Sequence, residues 1–506
     1  MSQFAIIATI AAYILLMMAI GIYYSKRGND TSEDFFLGNR KLGPLVAAMS
    51  AEASDMSSYL LMGLPGLAYI SGLADVGWTE IGLALGTYLN WLIVAKRLRR
   101  YSIKLGAITV PDFFSKRFHD DSHVISCIAA LIIIIFFIPY TASGFKAVGT
   151  LFSTLFGADY HVSMLIGAAV IISYTILGGF LAVSTTDLLQ SVVMTIALVA
   201  IVFFGISTAG GLGIVLENAR ALPGYLSMTQ TYDAVSGTAS AYGPITIVST
   251  MAWGLGYFGM PHILLRFMAM KKEEDIRMSR RIASVWVVVS MFIAIMIGII
   301  GYSCSVNGSI PLFTNSSDSE TTIIRLAQLM ANNGILAAIM AGLVLAGILA
   351  CTMSTADSQL LAAASSVSQD LLQGFLKIRL TQKQSMTVAR ATVAAIAVIG
   401  VVLAWNPNSS IFNIVSFAWA GFGGTFGPLM LLALFWKRTT RSGAIAGLIT
   451  GGATIFIWKY LVRPLGGAWN IYELLPAFII AGIVTVAVSL LSGKTNESIE
   501  KEFSEI

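Results

Sequence analysis

Thirteen long apolar stretches recur along this chain, and they constrain the fold more than any other feature. A transmembrane helix needs roughly 20 apolar residues to cross the bilayer core. We number the stretches as segments 1 to 13; they cover 4–24, 43–70, 76–95, 124–145, 162–182, 187–208, 244–270, 282–303, 335–366, 385–405, 409–436, 441–462 and 471–491. Charged residues are 11% of the 506, against roughly 25% in soluble domains. The sequence therefore excludes a soluble enzyme and predicts an all-α polytopic membrane protein.

Basic residues are concentrated in the loops after segments 1, 3, 7, 9, 11 and 13. Residues assigned to these loops include Lys26, Arg27, Arg266 and Lys494. Only five of the 31 Lys and Arg residues fall on the opposite side, namely Lys146, Arg220, Arg325, Lys459 and Arg463. Because basic loops stay on the cytoplasmic side, the sequence predicts an outside N-terminus and a cytoplasmic C-terminus in the cell (plasma or inner) membrane.

Segment 2 carries acidic residues at a depth where the bilayer is apolar. Glu52 and Asp55 lie near its middle, and Gly63, Pro65 and Gly66 follow. A carboxylate at this depth is costly and normally faces a bundle interior or a water-filled path. Since proline also removes a helical hydrogen bond, we expect the helix of segment 2 to be interrupted.

Segment 7 has a similar interruption, with Gly254, Gly256, Gly259 and Pro261 in eight residues. The two interrupted segments lie five apart, and an odd repeat length inverts the second copy. Interrupted helices at corresponding positions indicate a transporter binding site, although such residues can also serve helix packing alone. The sequence predicts a five-plus-five inverted-repeat core like that of the leucine transporter. The expected division is 1–42 for the first helix and its loop, 43–209 for repeat 1, 244–436 for repeat 2, and 437–506 for segments 12 and 13 with a short tail.

Segment 9 presents hydroxyl groups on one helical face. Ser354, Asp357, Ser358 and Ser365 lie at offsets that bring them together on that face. Several neutral oxygen atoms at short distance are what a small hard cation binds. Serine also mediates close packing of membrane helices, so the pattern alone leaves both interpretations open.

The polar residues distinguish between classes of membrane protein. A channel needs a continuous polar pore or a carbonyl filter, whereas these residues cluster at mid-membrane on interrupted helices. An intramembrane hydrolase needs paired catalytic groups, and Asp55, Asp187 and Asp357 do not form such a motif. The sequence favours a secondary transporter, with an ion channel or a solute sensor as remote alternatives. It indicates no enzyme, organic cofactor, nucleic acid or obligate protein partner.

Several longer motifs resemble those of the sodium:solute symporter family over nearly the whole chain, to about residue 490. They are DFFLGNRKLG (34–43), ASDMS (53–57), LLMGLPG (60–66), GGFLAV (178–183), WGLGYFG followed by PHIL (253–264), MST (353–355) and FWKR with GA four residues later (435–444). The resemblance is greatest to members that transport proline. It implies a sodium-coupled importer of L-proline that works by alternating access in the lipid bilayer.

The resemblance also implies a sodium site between the unwound part of segment 2 and segment 9. Its ligands would be the backbone carbonyls of Ala53 and Met56 and the hydroxyls of Ser354 and Thr355. Cys351 stands where the most similar members have alanine, and only its carbonyl would be needed. Asp55 matches the family's essential aspartate, and Asp187, expected at the start of segment 6, matches an acidic position linked to sodium.

The same resemblance implies a proline pocket formed by Ser57, Tyr140, Trp253, Tyr257 and Pro261. Aromatic faces would pack the pyrrolidine ring and favour its ammonium group. Helix N-termini at the interruption would attract the carboxylate.

Three residues beside the expected pocket depart from the family pattern. Ser58 and Tyr59 replace glycine and tryptophan, and Met260 replaces glutamine. An unmatched buried polar group costs about 1–3 kcal/mol, so another small amino acid or zwitterionic solute stays open as the substrate.

Of three further carboxylates, Glu52, Glu80 and Asp357, two carry more than one interpretation. Glu52 and Glu80 are not expected from the family pattern, and Glu52 either bonds between helices or titrates near neutrality. Asp357 either faces the cytoplasmic vestibule, which we favour, or forms an extra cation site with Asp187 and Ser358.

Overall fold

The computed structural model describes residues 2–25, 31–177, 179–493 and 497–506, and over these ranges the chain is a bundle of helices. By length and composition, nine helices in the described ranges can cross a bilayer. They are Ser2–Ser25 (segment 1), Val124–Phe156 (4), Phe180–Thr208 (6), Ile276–Val306 (8), Ile335–Ser365 (9), Gln382–Leu403 (10), Ile411–Phe435 (11), Arg441–Ile457 with its continuation to Leu465 (12) and Leu474–Leu491 (13). The predicted all-α polytopic architecture is confirmed.

Segments 2, 3 and 7 are each divided into consecutive helical pieces, whereas segment 5 is a single apolar helix of 18 residues. Segment 2 comprises Pro44–Ser58, Tyr59–Gly63 and Leu64–Ser71, and segment 7 comprises Pro244–Met251, Ala252–Phe258 and Pro261–Met268. Segment 3 comprises Leu73–Leu89, Asn90–Val94 and Ala95–Lys104, and segment 5 is Tyr160–Leu177. The total of thirteen membrane spans therefore stays a prediction.

The predicted boundary between segments 5 and 6 is wrong. The helix of segment 5 ends at Leu177, and that of segment 6 begins at Phe180, because Gly179 adopts a φ of 155° that no helix accommodates. Asp187 consequently lies about two turns inside segment 6 and not at its start. Gly178, the first residue of the GGFLAV motif, is outside the described residues.

Segment 9 lies at the centre of the bundle, where it packs against segments 1, 2, 4, 6 and 10. Other contacts repeat with an offset of five segments. Segment 2 packs on segment 8 and segment 7 packs on segment 3; segment 4 packs on segment 11 and segment 9 on segment 6. Equivalent segments of the two predicted repeats therefore make equivalent contacts, as an inverted repeat requires.

Short elements cover the two ends of the bundle. A hairpin pairs Gln230–Asp233 with Thr238–Ala241, and the helices Ser316–Ser319 and Thr322–Met330 lie in the loop before segment 9. At the opposite end, the helix Glu497–Ser504 and the residue after it contact two basic regions, the connection between segments 3 and 4 and the loop after segment 11. Glu500 and Glu502 of this helix contact Lys437 and His119, and Glu505, directly after the helix, contacts Lys104.

The end of segment 3 that is predicted to be cytoplasmic is also tied to the loop after segment 7. Arg100 donates a hydrogen bond of 2.7 Å to Glu273, and Lys96 lies 2.9 Å from the same carboxylate. The hydrogen bond from Arg100, with the neighbouring Lys96, lowers the pKa of Glu273 to about 2. Lys26, Arg27 and Lys494, which the charge pattern also assigns to this side, lie outside the described residues.

Candidate functional site

The interruption of segment 2 lies at Ser57. Its backbone adopts a φ of 47° and a ψ of −168° inside an otherwise helical run. A non-glycine residue held in this region costs about 1–3 kcal/mol and persists only where its surroundings enforce it. The Ser57 hydroxyl helps, because it accepts a 3.2 Å hydrogen bond from the Tyr59 N–H. Pro65, which was expected to contribute to the break, instead lies in the regular helix that follows.

The carbonyl groups before this break are bonded by side chains from other segments. Ser354 Oγ donates to the Ala53 carbonyl over 2.8 Å, and Tyr140 Oη donates to the Asp55 carbonyl over 3.0 Å. The unwound backbone of segment 2 thus meets segment 9 on one side and segment 4 on the other. Such freed carbonyls lie in a protein interior, where irregular backbone is tolerated in membranes.

Segment 7 is interrupted at the same depth by a 3₁₀ turn over Ala252–Phe258 and an extended residue, Met260. Two of its carbonyls accept hydrogen bonds from side chains. The Trp253 carbonyl accepts from Trp419 Nε1 over 2.7 Å, and the Tyr257 carbonyl accepts from Asn90 Nδ2 over 2.9 Å. Gly256 packs so closely against the Trp419 ring that any Cβ there would overlap the indole. The glycine is therefore required for this arrangement.

Four of the five predicted sodium ligands come together. Ser354 Oγ lies 2.8 Å from the Ala53 carbonyl and 3.2 Å from the Cys351 carbonyl, and Thr355 Oγ1 lies 3.1 Å from the latter. All four residues are buried. Met56, the fifth, is buried beside them and lines the neighbouring cavity. This set of neutral oxygen atoms fits the coordination preference of a small hard cation.

Asp55 lies next to this oxygen cluster but is engaged by segment 7. Its Oδ2 accepts a 2.5 Å hydrogen bond from the Tyr257 hydroxyl. Asp55 also lines a narrow cavity, which we call the aromatic cavity. The complete lining is Asp55, Met56, Tyr59, Leu83, Tyr140, Trp253, Val415 and Trp419.

Stacked aromatic rings close the aromatic cavity on the side of segment 7. The indole of Trp253 stacks on Tyr59 with ring centroids 5.6 Å apart and on Tyr472 with centroids 5.3 Å apart. Tyr472 is held in place by two hydrogen bonds, from its N–H to Ser249 Oγ (2.7 Å) and from its hydroxyl to the Ser416 carbonyl (2.6 Å). The loop between segments 12 and 13 therefore reaches the candidate substrate site.

A second narrow cavity is also lined by Tyr140, and we call it the hydroxyl cavity. Its lining is Ser57, Ser58, Tyr140, Thr141, Ser143, Gly144, Thr352, Thr355, Ala356 and Gln359. The predicted pocket residues are thus divided. Tyr140 and Trp253 line the aromatic cavity, Ser57 and Ser58 line the hydroxyl cavity, and Tyr257, Met260 and Pro261 line neither.

Asp187 forms a buried ion pair with Arg266. Arg266 was expected in a cytoplasmic loop, but it lies in the buried helix Pro261–Met268. Its guanidinium donates to Asp187 Oδ2 (3.0 Å) and to Ser358 Oγ (2.6 Å), and Ser50 Oγ contacts both charged groups. In this conformation the guanidinium bridges Asp187 and Ser358, two of the three residues that were considered for an extra cation site.

The expectation that Asp357 faces an open cytoplasmic vestibule is wrong for this structure. Asp357 is fully buried, as is the Arg266 guanidinium that attracts it. Glu52 is also fully buried, and its Oε1 accepts hydrogen bonds from Thr87 (2.9 Å) and Trp91 (3.2 Å) of segment 3. This geometry agrees with the interpretation that Glu52 bonds between helices.

Sequence reasoning missed Arg266, Trp419 and Tyr472 as parts of the site. Arg266 carried a signal, since it stands inside the apolar run PHILLRFMAM, where a charge needs a buried partner. Trp419 and Tyr472 carried none, because an aromatic residue is ordinary in a membrane segment or at its end.

Comparison with known sequences agrees with the geometry. The sequence profile of the sodium:solute symporter family matches residues 35–451. The curated sodium/proline symporters of Staphylococcus aureus strains USA300 / TCH1516 and JH9 are each 38% identical to this chain over 504 residues. Those alignments cover 98% of this chain and 94% of each relative.

Two solved structures share the fold. A Na⁺-coupled sialic acid symporter in a substrate-bound, outward-open state superposes with a TM-score of 0.79 at 18% identity, covering 98% of this chain and 100% of that one. A nucleobase-cation-symport-1 family transporter, in a closed conformation with bromovinylhydantoin bound, gives 0.55 at 14% identity, covering 94% and 99%. These likenesses confirm the leucine-transporter-like fold with its two interrupted helices.

Proposed function

Because the chain belongs to the sodium:solute symporter family, and is therefore a sodium-coupled solute transporter of the membrane, we propose that it imports L-proline with Na⁺ by alternating access. One observation carries this proposal. The neutral oxygen atoms of Ala53, Cys351, Ser354 and Thr355 converge at the interruption of segment 2, directly beside the aromatic cavity. An ion bound there would share backbone with the wall of the solute site.

In this proposal sodium binds between segments 2 and 9. The carbonyls of Ala53, Met56 and Cys351 and the hydroxyls of Ser354 and Thr355 supply the ligands. The negative charge comes from Asp55, which lies in the same unwound stretch, and Asp187 and Asp357 complete the set of coupling carboxylates. Since Ser354 already joins the two segments through Ala53, an ion that takes both oxygens would hold the same interface together.

The solute is proposed to bind in the aromatic cavity. Tyr140 and Trp253 line this cavity and offer ring faces to a pyrrolidine ring and its ammonium group. Tyr257 contributes through its hydrogen bond to Asp55. Pro261, at the start of the second helical half of segment 7, leaves that N-terminus available for the carboxylate. Ser57, Ser58 and Met260 are the adjacent residues that adjust the shape of the pocket.

Sodium binding and solute binding are coupled because both sites use the unwound backbone of segment 2. Sodium raises the affinity for solute by the same factor as solute raises the affinity for sodium. One charge crossing 100 mV supplies about 2.3 kcal/mol, and a tenfold sodium gradient adds about 1.4 kcal/mol. At a ratio of one ion per solute, these energies support accumulation of several hundredfold.

We also propose that the protein resides in the cell membrane with its C-terminus in the cytoplasm. The charge distribution of the loops favours this orientation. The helix Glu497–Ser504 is packed against Lys104, His119 and Lys437, whose loops all lie on the predicted cytoplasmic side. The C-terminal residues and these basic loops therefore share one face of the bundle.

A second candidate solute is another small amino acid or zwitterion. The observation that favours it is Ser58, whose hydroxyl is buried without a hydrogen-bond partner among the described residues. A buried hydroxyl of this kind is destabilising unless a ligand bonds to it. A solute with an additional polar group would meet that requirement better than proline does.

Uptake into proteoliposomes tests the proposal directly. The purified chain should accumulate labelled L-proline when an inward sodium gradient is imposed, and not when potassium replaces sodium. Unlabelled amino acids, betaines and sugars are then tested as competitors. Accumulation without sodium would contradict symport. Sodium-dependent uptake of another solute, with no uptake of or competition by proline, would retain symport and replace the substrate.

A further inference from the structure

A large groove lies on the far side of segments 4 and 11 from the aromatic cavity, and we call it the outer groove. It has a volume of about 1110 Å³ and runs between segments 4, 10, 11 and 12. Ile135 and Pro139 of segment 4 line it, whereas the adjacent Tyr140 lines the aromatic cavity. The proposed transport path does not use this groove.

One half of the outer groove is apolar and open to the bilayer. Ile135 is 48% exposed, Leu403 51%, Phe456 40% and Tyr460 59%, and all four line the groove. They belong to helices of segments 4, 10 and 12 that can cross the membrane, so these exposed side chains face acyl chains and not water. A water-soluble ligand would leave this wall uncovered, whereas an acyl chain would cover it.

The other half of the outer groove is polar and lies at the ends of the helices. The residues 315–318, 408–410 and 413 line it, together with Lys459. Apolar and polar halves therefore meet in one groove, at the depth where lipid tails meet their headgroups.

Two charged side chains line the polar half, the cation of Lys459 and the carboxylate of Asp318. Lys459 Nζ lies 3.6 Å from Glu473, which also pairs with Arg463 at 2.9 Å, so this cluster has two cations for one carboxylate. Lys459 Nζ also lies 4.2 Å from the Phe417 ring centroid, which fixes the cation at the groove wall. Asp318 contributes an exposed carboxylate to the same groove.

We propose that the outer groove is a binding site for one phospholipid with a phosphoethanolamine headgroup. The phosphate is bound by Lys459 with its surplus positive charge, and the ammonium is bound by Asp318. An acyl chain lies along Ile135, Leu403 and Phe456. A zwitterionic headgroup matches both charges of the groove. Among the described residues, the Asp318 carboxylate accepts only a neutral amide hydrogen bond, from Asn315. An anionic headgroup without an amine brings no cation to this carboxylate and is repelled by it.

The test measures lipid that remains with the purified full-length chain. The protein is expressed in cells whose membrane contains phosphatidylethanolamine and phosphatidylglycerol, purified in detergent, and its retained lipids are extracted and quantified by mass spectrometry. We expect about one phosphatidylethanolamine per chain. Retention of both lipids in the proportions of the source membrane would overturn the proposal, because it would indicate an unspecific lipid layer.

A matched pair of variants locates the binding. Ile135→Trp places an indole ring in the groove. Leu131→Trp adds the same ring to the same helix one turn away, at a residue that is 46% exposed and does not line the groove. Retained phosphatidylethanolamine should fall about fivefold or more in Ile135→Trp and stay at the wild-type level in Leu131→Trp. Equal retention in the two variants would place the lipid elsewhere and overturn the proposal.

A second variant tests the headgroup without altering the apolar wall. Asp318→Asn removes an exposed charge, and the ratio of retained phosphatidylethanolamine to phosphatidylglycerol should fall about fivefold. An unchanged ratio would remove Asp318 from the site and contradict the proposed headgroup. Because the measurement needs no transport, a failed uptake assay and a failed lipid assay are distinguishable.

Discussion

Ser354 Oγ donates a 2.8 Å hydrogen bond to the carbonyl oxygen of Ala53, a residue 301 positions earlier in the chain. This contact joins the central helix of segment 9 to the last turn before the break in segment 2. A sodium ion between these two oxygens would replace one hydrogen bond with several ion–oxygen contacts. The relationship explains how ion binding can control the backbone that also carries Asp55.

Asp55→Asn should abolish sodium-dependent uptake while expression and membrane insertion stay normal. A neutral amide cannot supply the charge that holds a cation, yet it can still accept the hydrogen bond from Tyr257. Uptake by proteoliposomes and sodium binding to the purified variant give the readouts. Wild-type sodium affinity in Asp55→Asn would remove this residue from the ion site.

The double variant Ser354→Ala/Thr355→Val should raise the sodium concentration for half-maximal uptake about tenfold or more, since bonds to a charged group contribute about 1.5–3 kcal/mol each. Solute affinity at saturating sodium should change much less. Ser365→Ala is the control, because the hydroxyl of this buried serine of the same helix donates to a local carbonyl, that of Ala362. An unchanged sodium dependence would move the ion site elsewhere.

Reverting two departures from the family pattern should improve the use of proline. In Ser58→Gly/Met260→Gln the unpartnered hydroxyl is removed and an amide is restored. Discrimination of this kind is worth about 1–3 kcal/mol, so the apparent KM for proline should fall about fivefold or more. Competition by other zwitterions is measured in parallel. A higher KM in the double variant would indicate that this pocket already suits proline.

Tyr472→Leu should raise the KM for solute about twofold to tenfold, because an aromatic pair contributes about 0.5–1.5 kcal/mol beyond its buried area. Tyr472→Phe keeps the ring on Trp253 and should have the smaller effect. Tyr460→Leu serves as the control, since this tyrosine is exposed on segment 12. Equal kinetics in Tyr472→Leu and wild type would show that the loop after segment 12 does not shape the site.

Breaking the buried Arg266–Asp187 pair should destabilise the fold. Arg266→Gln leaves a carboxylate buried without its cation, a loss of about 3–5 kcal/mol, and Asp187→Asn should act similarly. The double variant should recover much of that stability, which thermal unfolding in detergent would measure. Arg441→Gln, which breaks a partly exposed pair with Asp120, should cost under about 1 kcal/mol. Additive losses in the Arg266 and Asp187 variants would contradict direct coupling.

Much of the architecture follows from local properties of the chain. Hydropathy located the helices, and the acidic and Gly/Pro residues identified segments 2 and 7 as the interrupted ones, because burial in lipid and helix breaking depend on the residues of one segment. The motif resemblance brought Ala53, Cys351, Ser354 and Thr355 together as candidate ligands, and the structure has them in contact.

The exact position of each break and the pairing across segments were decided by tertiary structure. Segment 2 unwinds at Ser57 and not at Pro65, because Tyr140 and Ser354 from other helices bond the carbonyls beside that point. The sequence by itself determined an all-helical membrane bundle with two broken helices. That Arg266 enters the core to meet Asp187, and that Tyr472 reaches Trp253, depends on how helices far apart in the chain are placed against each other, which no local property of either residue specifies.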